Sequence, residues 1–239
     1  MSAVVNDAAG VARQTPAGRA PAVLGVTLAG RDLTEIAAAN PLWGALRSSA
    51  AQVVISIPLT VGGTTVDRLA AGHDAARWRT LASSLSGVGK APAVVRLTPP
   101  ADSDAARARE ALERVAATLK GANPGVLVEW VAPLGTRPDQ GSTPPQGVDL
   151  VGVTLPTDGR WPQTVNGEGG LSDWSDWAAG QGKRLAVTWS IGADTSADTV
   201  RSVRAWLDVS SRAQRIGVET VRIAPDADTA AVAAYRAAW

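Results

Sequence analysis

Few residues in this chain are placed to do chemistry, and the most conspicuous is Arg96. It lies inside the apolar run Ala91-Pro92-Ala93-Val94-Val95-Arg96-Leu97-Thr98-Pro99-Pro100. A guanidinium in so apolar a segment is costly in a dry core unless it meets a carboxylate, a carbonyl or a polar cavity. Glu129, inside another apolar run and beside Trp130, is under the same constraint. The two are the expected partners of one buried ion pair. Paired carboxylates for acid and base work could otherwise come from Asp102, Asp104, Glu168, Asp194 and Asp226, which follow apolar runs. Most of these read more simply as helix caps or solvated loop charges. His73 is the sole histidine, so a histidine metal site or a Ser-His-Asp triad would depend on it alone, and its place before a helix favours a surface or capping role. Ser190 lacks a Gly-x-Ser-x-Gly elbow. With no cysteine, thiolate metal sites, disulfides and a cysteine nucleophile are excluded. No metal and no cofactor are expected.

Aromatic usage is lopsided, with nine tryptophans, one tyrosine and no phenylalanine. Trp161, Trp174, Trp177 and Trp189 fall near the C-terminal ends of apolar runs, where indole faces could stack on sugar rings. Trp174 and Trp177, three apart on one helical face, serve packing at least as well. Trp189 is the better binding candidate, followed by Trp161.

The elements that must position these groups alternate along the chain. Apolar, β-branched runs at 22–28, 52–59, 93–98, 125–131, 148–155, 184–190 and 218–223 read as buried strands. Between them, apolar residues at helical spacing predict helices starting near Asp32, Asp74, Ser103, Asp198 and Asp228, with a further helix carrying Trp174 and Trp177. Residues 66–71 read as a short turn, and 133–147 and 156–170 as long surface loops. Near-continuous apolar strands alternating with helices indicate a parallel sheet covered by helices. The expected fold is a (β/α)8 TIM-barrel-like domain over 21–239 with seven clear strands, its eighth either inside the N-terminal arm or missing. An open doubly wound parallel sheet is the alternative, weakened by the lack of a Gly-x-Gly-x-x-Gly after the first strand.

Residues 1–20 are small and polar and read as a flexible arm that could dock on assembly partners. The 23 basic and 22 acidic residues nearly cancel, so neither nucleic acid nor an anionic membrane surface is an expected partner. No run of about 18 apolar residues and no N-terminal signal-peptide pattern occurs, so a soluble chain is expected.

Several segments together resemble family-26 glycoside hydrolases, the β-mannanase-like barrels. They are Ala71-Gly72-His73-Asp74 with its helix, Val94-Val95-Arg96-Leu97, the run Val126 to Pro133, Val148-Asp149-Leu150-Val151-Gly152-Val153, and Gly182-Lys183-Arg184-Leu185-Ala186-Val187. The resemblance covers most of 20–225. It implies that the arginine strand should end in the acid/base glutamate and the seventh strand in the nucleophilic glutamate. Thr98, Pro99 and Pro100 occupy the first place, and Thr188, Trp189 and Ser190 the second. Retaining hydrolysis needs one protonated and one ionised carboxyl flanking the scissile bond, and none of these residues can serve. The expectation is therefore an inactive barrel, structural or contacting a polysaccharide or cell-envelope glycan through Trp189, Trp161, Arg96 and Glu129. The Arg96–Glu129 pair reads as a structural relic more than a remnant catalytic group. A virion or phage-tail setting is the expected location, with the cytoplasm as the other. An active glycosidase using displaced acids and an unrelated α/β enzyme are the alternatives.

Overall fold

The computed structural model describes residues 2–5, 23–28, 32–38, 40–48, 51–139, 141–156 and 160–238. Eight strands occur among them: β1 (Ser2–Val5), β2 (Val23–Thr27), β3 (Gln52–Pro58), β4 (Val94–Thr98), β5 (Leu127–Val131), β6 (Leu150–Thr154), β7 (Arg184–Ile191) and β8 (Ile216–Ile223). The strand at Ser2–Val5 lies within the expected N-terminal arm. The rest of that arm, and Trp239, fall outside the described residues.

The helices are α1 (Leu33–Ala37), α2 (Asn40–Arg47), α3 (Val66–Ala70), α4 (Ala75–Ser84), α5 (Ala105–Ala122), α6 (Trp161–Asn166), α7 (Leu171–Gly180), α8 (Ala197–Arg212) and α9 (Thr229–Ala237). Two of them overturn the sequence reading. The expected turn at 66–71 is helix α3, capped by the Thr65 hydroxyl accepting from the Arg68 N–H, and the expected long loop at 156–170 contains α6. Helices of five or six residues are too short to repeat their apolar period, and α1, equally short, is legible through its Asp32 cap.

The chain divides into two compact units. One contains β2 to β5, parallel and paired in sequence order. Their register sets Val26, Ile55, Val95 and Val128 side by side on one face, all withdrawn from water. Two-residue alternation puts Thr27, Ser56, Arg96 and Glu129 in a row on the other face. Helix α5 buries Ala108, Ala111, Leu112, Val115, Ala116 and Leu119, the i, i+3, i+4, i+7 stripe that a sheet-covering helix needs. Trp43 is buried in α2 and its indole N–H donates to the Ile36 carbonyl at 3.1 Å.

The other unit contains β6, β7 and β8, again parallel and sequential. Neither unit shows the reversal of strand order that marks a doubly wound sheet. The β7–β8 register jumps at Leu185/Ala186, skipping Gly217. A Cβ on Gly217 would stand 2.7 Å from Leu150 Cδ2, so a side chain there would displace the core.

Helix starts follow side-chain caps, though not always the predicted ones. Asp32 and Asp228 cap α1 and α9, accepting from the Thr34 and Ala231 N–H groups. The Thr34 N–H also holds the Asp32 carboxyl below its ordinary pKa. Asp104, one residue beyond the predicted Ser103, caps α5. Asp198 is not the cap of α8: Ser196 accepts from the Thr199 N–H, and Asp198 pairs with Arg201 in the first turn. Asp74 precedes α4 in the left-handed region at φ 62°, and its carboxylate accepts from the Thr64 hydroxyl at 2.7 Å instead of capping.

Ser196→Ala should therefore lower the stability of the protein by about 1 kcal/mol in urea unfolding, whereas Asp198→Ala should change it by roughly half a kcal/mol or less. Equal effects would contradict the cap assignment.

Candidate functional site

The structure brings Arg96 and Glu129 together. They are in-register neighbours on β4 and β5, and Arg96 Nε donates to Glu129 Oε1 at 2.7 Å. Arg96 is 6% and Glu129 0% exposed. The contact is single and not the two-pronged arrangement a guanidinium can make. Arg96 Nη2 and Glu129 Oε2 have no hydrogen-bond partner among the described residues. Burial raises the Glu129 carboxyl above its ordinary pKa, and the Arg96 guanidinium pulls it partly back. Removal from water outweighs the attraction, as expected for a pair with one polar contact per partner.

Trp189 is not displayed at the end of β7. Alternation sends its ring to the face shared with Val187 and Ile191, where it is 2% exposed. It lies edge-on to Tyr235 of α9 at 5.8 Å, and its N–H donates to Glu219 Oε1 at 3.1 Å. Glu219 Oε2 in turn accepts from Arg204 Nη1 of α8 at 2.7 Å. Thr188, its neighbour in sequence, sits on the opposite face in register with Thr154 and Thr220. Trp161 is half-buried on α6, edge-on to Trp206 of α8 at 6.4 Å. Trp174 and Trp177 pack edge to face at 5.3 Å, the packing role foreseen for them.

The dispersed acids remain dispersed. Asp104 is a cap, and Asp102, Asp194 and Asp226 are exposed loop residues. His73 is exposed before α4. No cluster of three or more histidine or acidic side chains suited to a metal occurs among the described residues.

A cavity of about 400 Å³ opens at the C-terminal end of β6. Thr154, Leu155 and Pro156 continue the strand into it, α6 contributes Gln163 and Thr164 with Arg160 just before, and Leu134, Gly135, Glu168 and Gly170 complete the wall. The wall is held by close backbone contact. Gly135 N–H donates to the Gly169 carbonyl at 2.9 Å, and Gly169 N–H donates to Asp173 Oδ2 at 3.0 Å. Gly169 has φ +66°, and a Cβ there would lie 2.5 Å from the Thr136 carbonyl carbon. Only glycine fits. Of the lining residues, the sequence reading singled out Glu168 alone. Arg160, Gln163 and Thr164 were hidden because α6 reads as loop, and the run Gly167-Glu168-Gly169-Gly170 was the available sign of a close approach.

Parallel strands paired in sequence order, with a helix after each of β2, β3, β4, β6, β7 and β8, define a TIM-barrel-like fold. Several solved structures share that fold. One is an endo-β-1,4-mannanase from Thermotoga petrophila, with a TM-score of 0.56 at 11% identity over 85% of this chain and 61% of that one. A second is the hyperthermostable endo-1,4-β-D-mannanase from Thermotoga petrophila RKU-1 with maltose and glycerol, at 0.55 and 12%, over 85% of this chain and 80% of that one. The third is the cellulase Cel5C_n, at 0.56 and 12%, over 91% and 77%. This chain thus spans about three-fifths of the length of the first mannanase. The likeness establishes a glycoside-hydrolase-like fold, as the sequence resemblance implied. No family model and no curated protein sequence matches the chain. No helix among the described residues is long and apolar enough to cross a membrane.

Two expectations follow for the buried pair. Arg96→Met or Glu129→Leu alone should cost about 3–5 kcal/mol by leaving one buried charge unpaired, while the double replacement should fall near or above wild-type stability. Chemical denaturation of the four proteins measures this, and additive losses would refute the pairing. With its pKa raised in the folded state, Glu129 contributes stability that is present below its unfolded pKa and lost as pH rises through its folded pKa. Glu129→Gln should flatten that part of the stability profile in urea melts taken across pH.

Proposed function

We propose that this chain is a non-catalytic glycoside-hydrolase-like barrel that contacts glycans or serves as a scaffold. The observation carrying the reading is the absence of a carboxylate from the last residues of both β4 and β7. The first runs Arg96-Leu97-Thr98 into Pro99-Pro100, and the second ends Thr188-Trp189-Ser190-Ile191. Retaining hydrolysis uses two carboxyls about 5–5.5 Å apart, one to protonate the leaving oxygen and one to attack. Proline, threonine and tryptophan supply neither function. Glu168 is the single carboxylate lining the cavity at β6, and one carboxylate cannot complete the pair.

Arg96 and Glu129 support the strands from within, Trp189 supports the β7 end from the helix side, and Trp161 is the more accessible of the two candidate rings. A phage virion or tail is the setting we favour over the cytoplasm, since contact with an envelope glycan needs no turnover, with the N-terminal arm joining the assembly. Similarity to a mannanase and a cellulase supports β-linked glycans as the first ligands to try.

Incubation with mannan and β-glucan should release no reducing sugar, while affinity electrophoresis in the same polysaccharides should retard the protein. Sugar release that is abolished in Asp102→Asn or Asp194→Asn would establish instead a glycosidase with displaced acids.

A further inference from the structure

We propose that the cavity at the end of β6 is the place where this chain holds a sugar ring, with Glu168 as the residue that selects it. The inference rests on the glycan-contacting reading above and moves the contact away from the ends of β4 and β7.

The cavity is built to hold Glu168 without using its carboxylate. Gly167 and Gly169 flank it, and the segment is tied to the 133–137 turn by the Gly135 to Gly169 hydrogen bond. Asp173, which receives the Gly169 N–H, lies 3.7 Å from Arg137 of the same turn. Gly170 is equally confined, since a Cβ on it would stand 2.8 Å from three carbonyl oxygens. The backbone around Glu168 is thus specified by contacts that a side chain at its neighbours would break. Three other acids of this unit are engaged: Asp173 by Gly169, Asp176 by Arg215, and Glu219 by Arg204 and Trp189. Glu168 has no hydrogen-bond or ion-pair partner among the described residues. Its two oxygens are open acceptors at the rim of a formed cavity.

The rest of the wall supplies the complement. Arg160, Gln163 and Thr164 stand at i, i+3 and i+4, so the start of α6 turns them to one side. Gln163 offers both donor and acceptor, Thr154 offers a hydroxyl, Thr164, whose hydroxyl donates to the Arg160 carbonyl at 3.0 Å, can still accept, and Leu134, Leu155 and Pro156 give apolar surface. Arg160 already interacts within the protein. A pyranose ring matches this set. Its C–H face covers apolar wall, and two adjacent hydroxyls donate to the two oxygens of one carboxylate. The volume of about 400 Å³ falls within the roughly 300–1,000 Å³ of small-molecule sites.

Titration calorimetry with mannohexaose, cellohexaose and chitosan hexamer, on the full chain, tests the assignment. At least one hexasaccharide should bind wild type. Glu168→Ala should weaken it about tenfold or more, the loss expected for hydrogen bonds to a charged acceptor, and Gln163→Ala should weaken it less. Asp102→Asn and Asp194→Asn should leave it within about twofold. Circular dichroism melts check that Glu168→Ala folds, which an exposed side chain with no partner permits. Undiminished binding in the Glu168→Ala/Gln163→Ala double variant would overturn the site and leave the glycan reading standing. Failure of all three sugars to bind wild type would sink that reading and the site with it. Loss of chitosan binding alone in Glu168→Gln would identify an amine, not a diol, as the group Glu168 selects, and would overturn the diol match.

Discussion

A guanidinium and a carboxylate, both withdrawn from water, meet across β4 and β5, and the strands around them have little freedom while that contact stands. A parallel pair can in principle slide by a residue, but a slip turns every side chain to the opposite face. Here a slip would separate Arg96 from Glu129 and drive one of them into the apolar row of Val26, Ile55, Val95 and Val128. The pair adds little net stability, since dehydration offsets most of the attraction. Its effect is to make the wrong registers much worse than the right one.

The same arrangement shows why much of the fold could be read without coordinates. Strands buried on both faces announce themselves as unbroken apolar runs, and two charges stranded in such runs have few places to go other than each other. Helices α4, α5, α7 and α8 are long enough to display their apolar face in sequence. Helices α3 and α6 are not, and the information that makes them helical lies in the surfaces they cover. The start of α8 was misplaced for a related reason. Ser196 and Asp198 are both good capping residues two positions apart, and the backbone decides which one turns back on the Thr199 N–H.

The site was less legible than the fold. Trp189 was conspicuous by type, but its direction depends on the strand's phase, and the phase sends its ring toward α9 while Thr188 takes the other face. Glu168 stood out only as one acid among several. What distinguishes it is contact between segments some thirty residues apart, at Gly135 and Gly169, and no local pattern encodes that. The glycines of 167–170 signal that something comes close without saying what.

The packing of Trp189 against Tyr235 has a spectroscopic consequence. Tyr235 is the only tyrosine in the chain, and in the folded protein its ring centre lies 5.8 Å from that of an indole that absorbs where phenol emits. Excitation of the phenol drains into Trp189, leaving the folded protein dark in the tyrosine band despite having the fluorophore. Detachment of α9 would uncover the buried Trp189 ring to water, so its emission shifts to the red when the C-terminal helix lifts away.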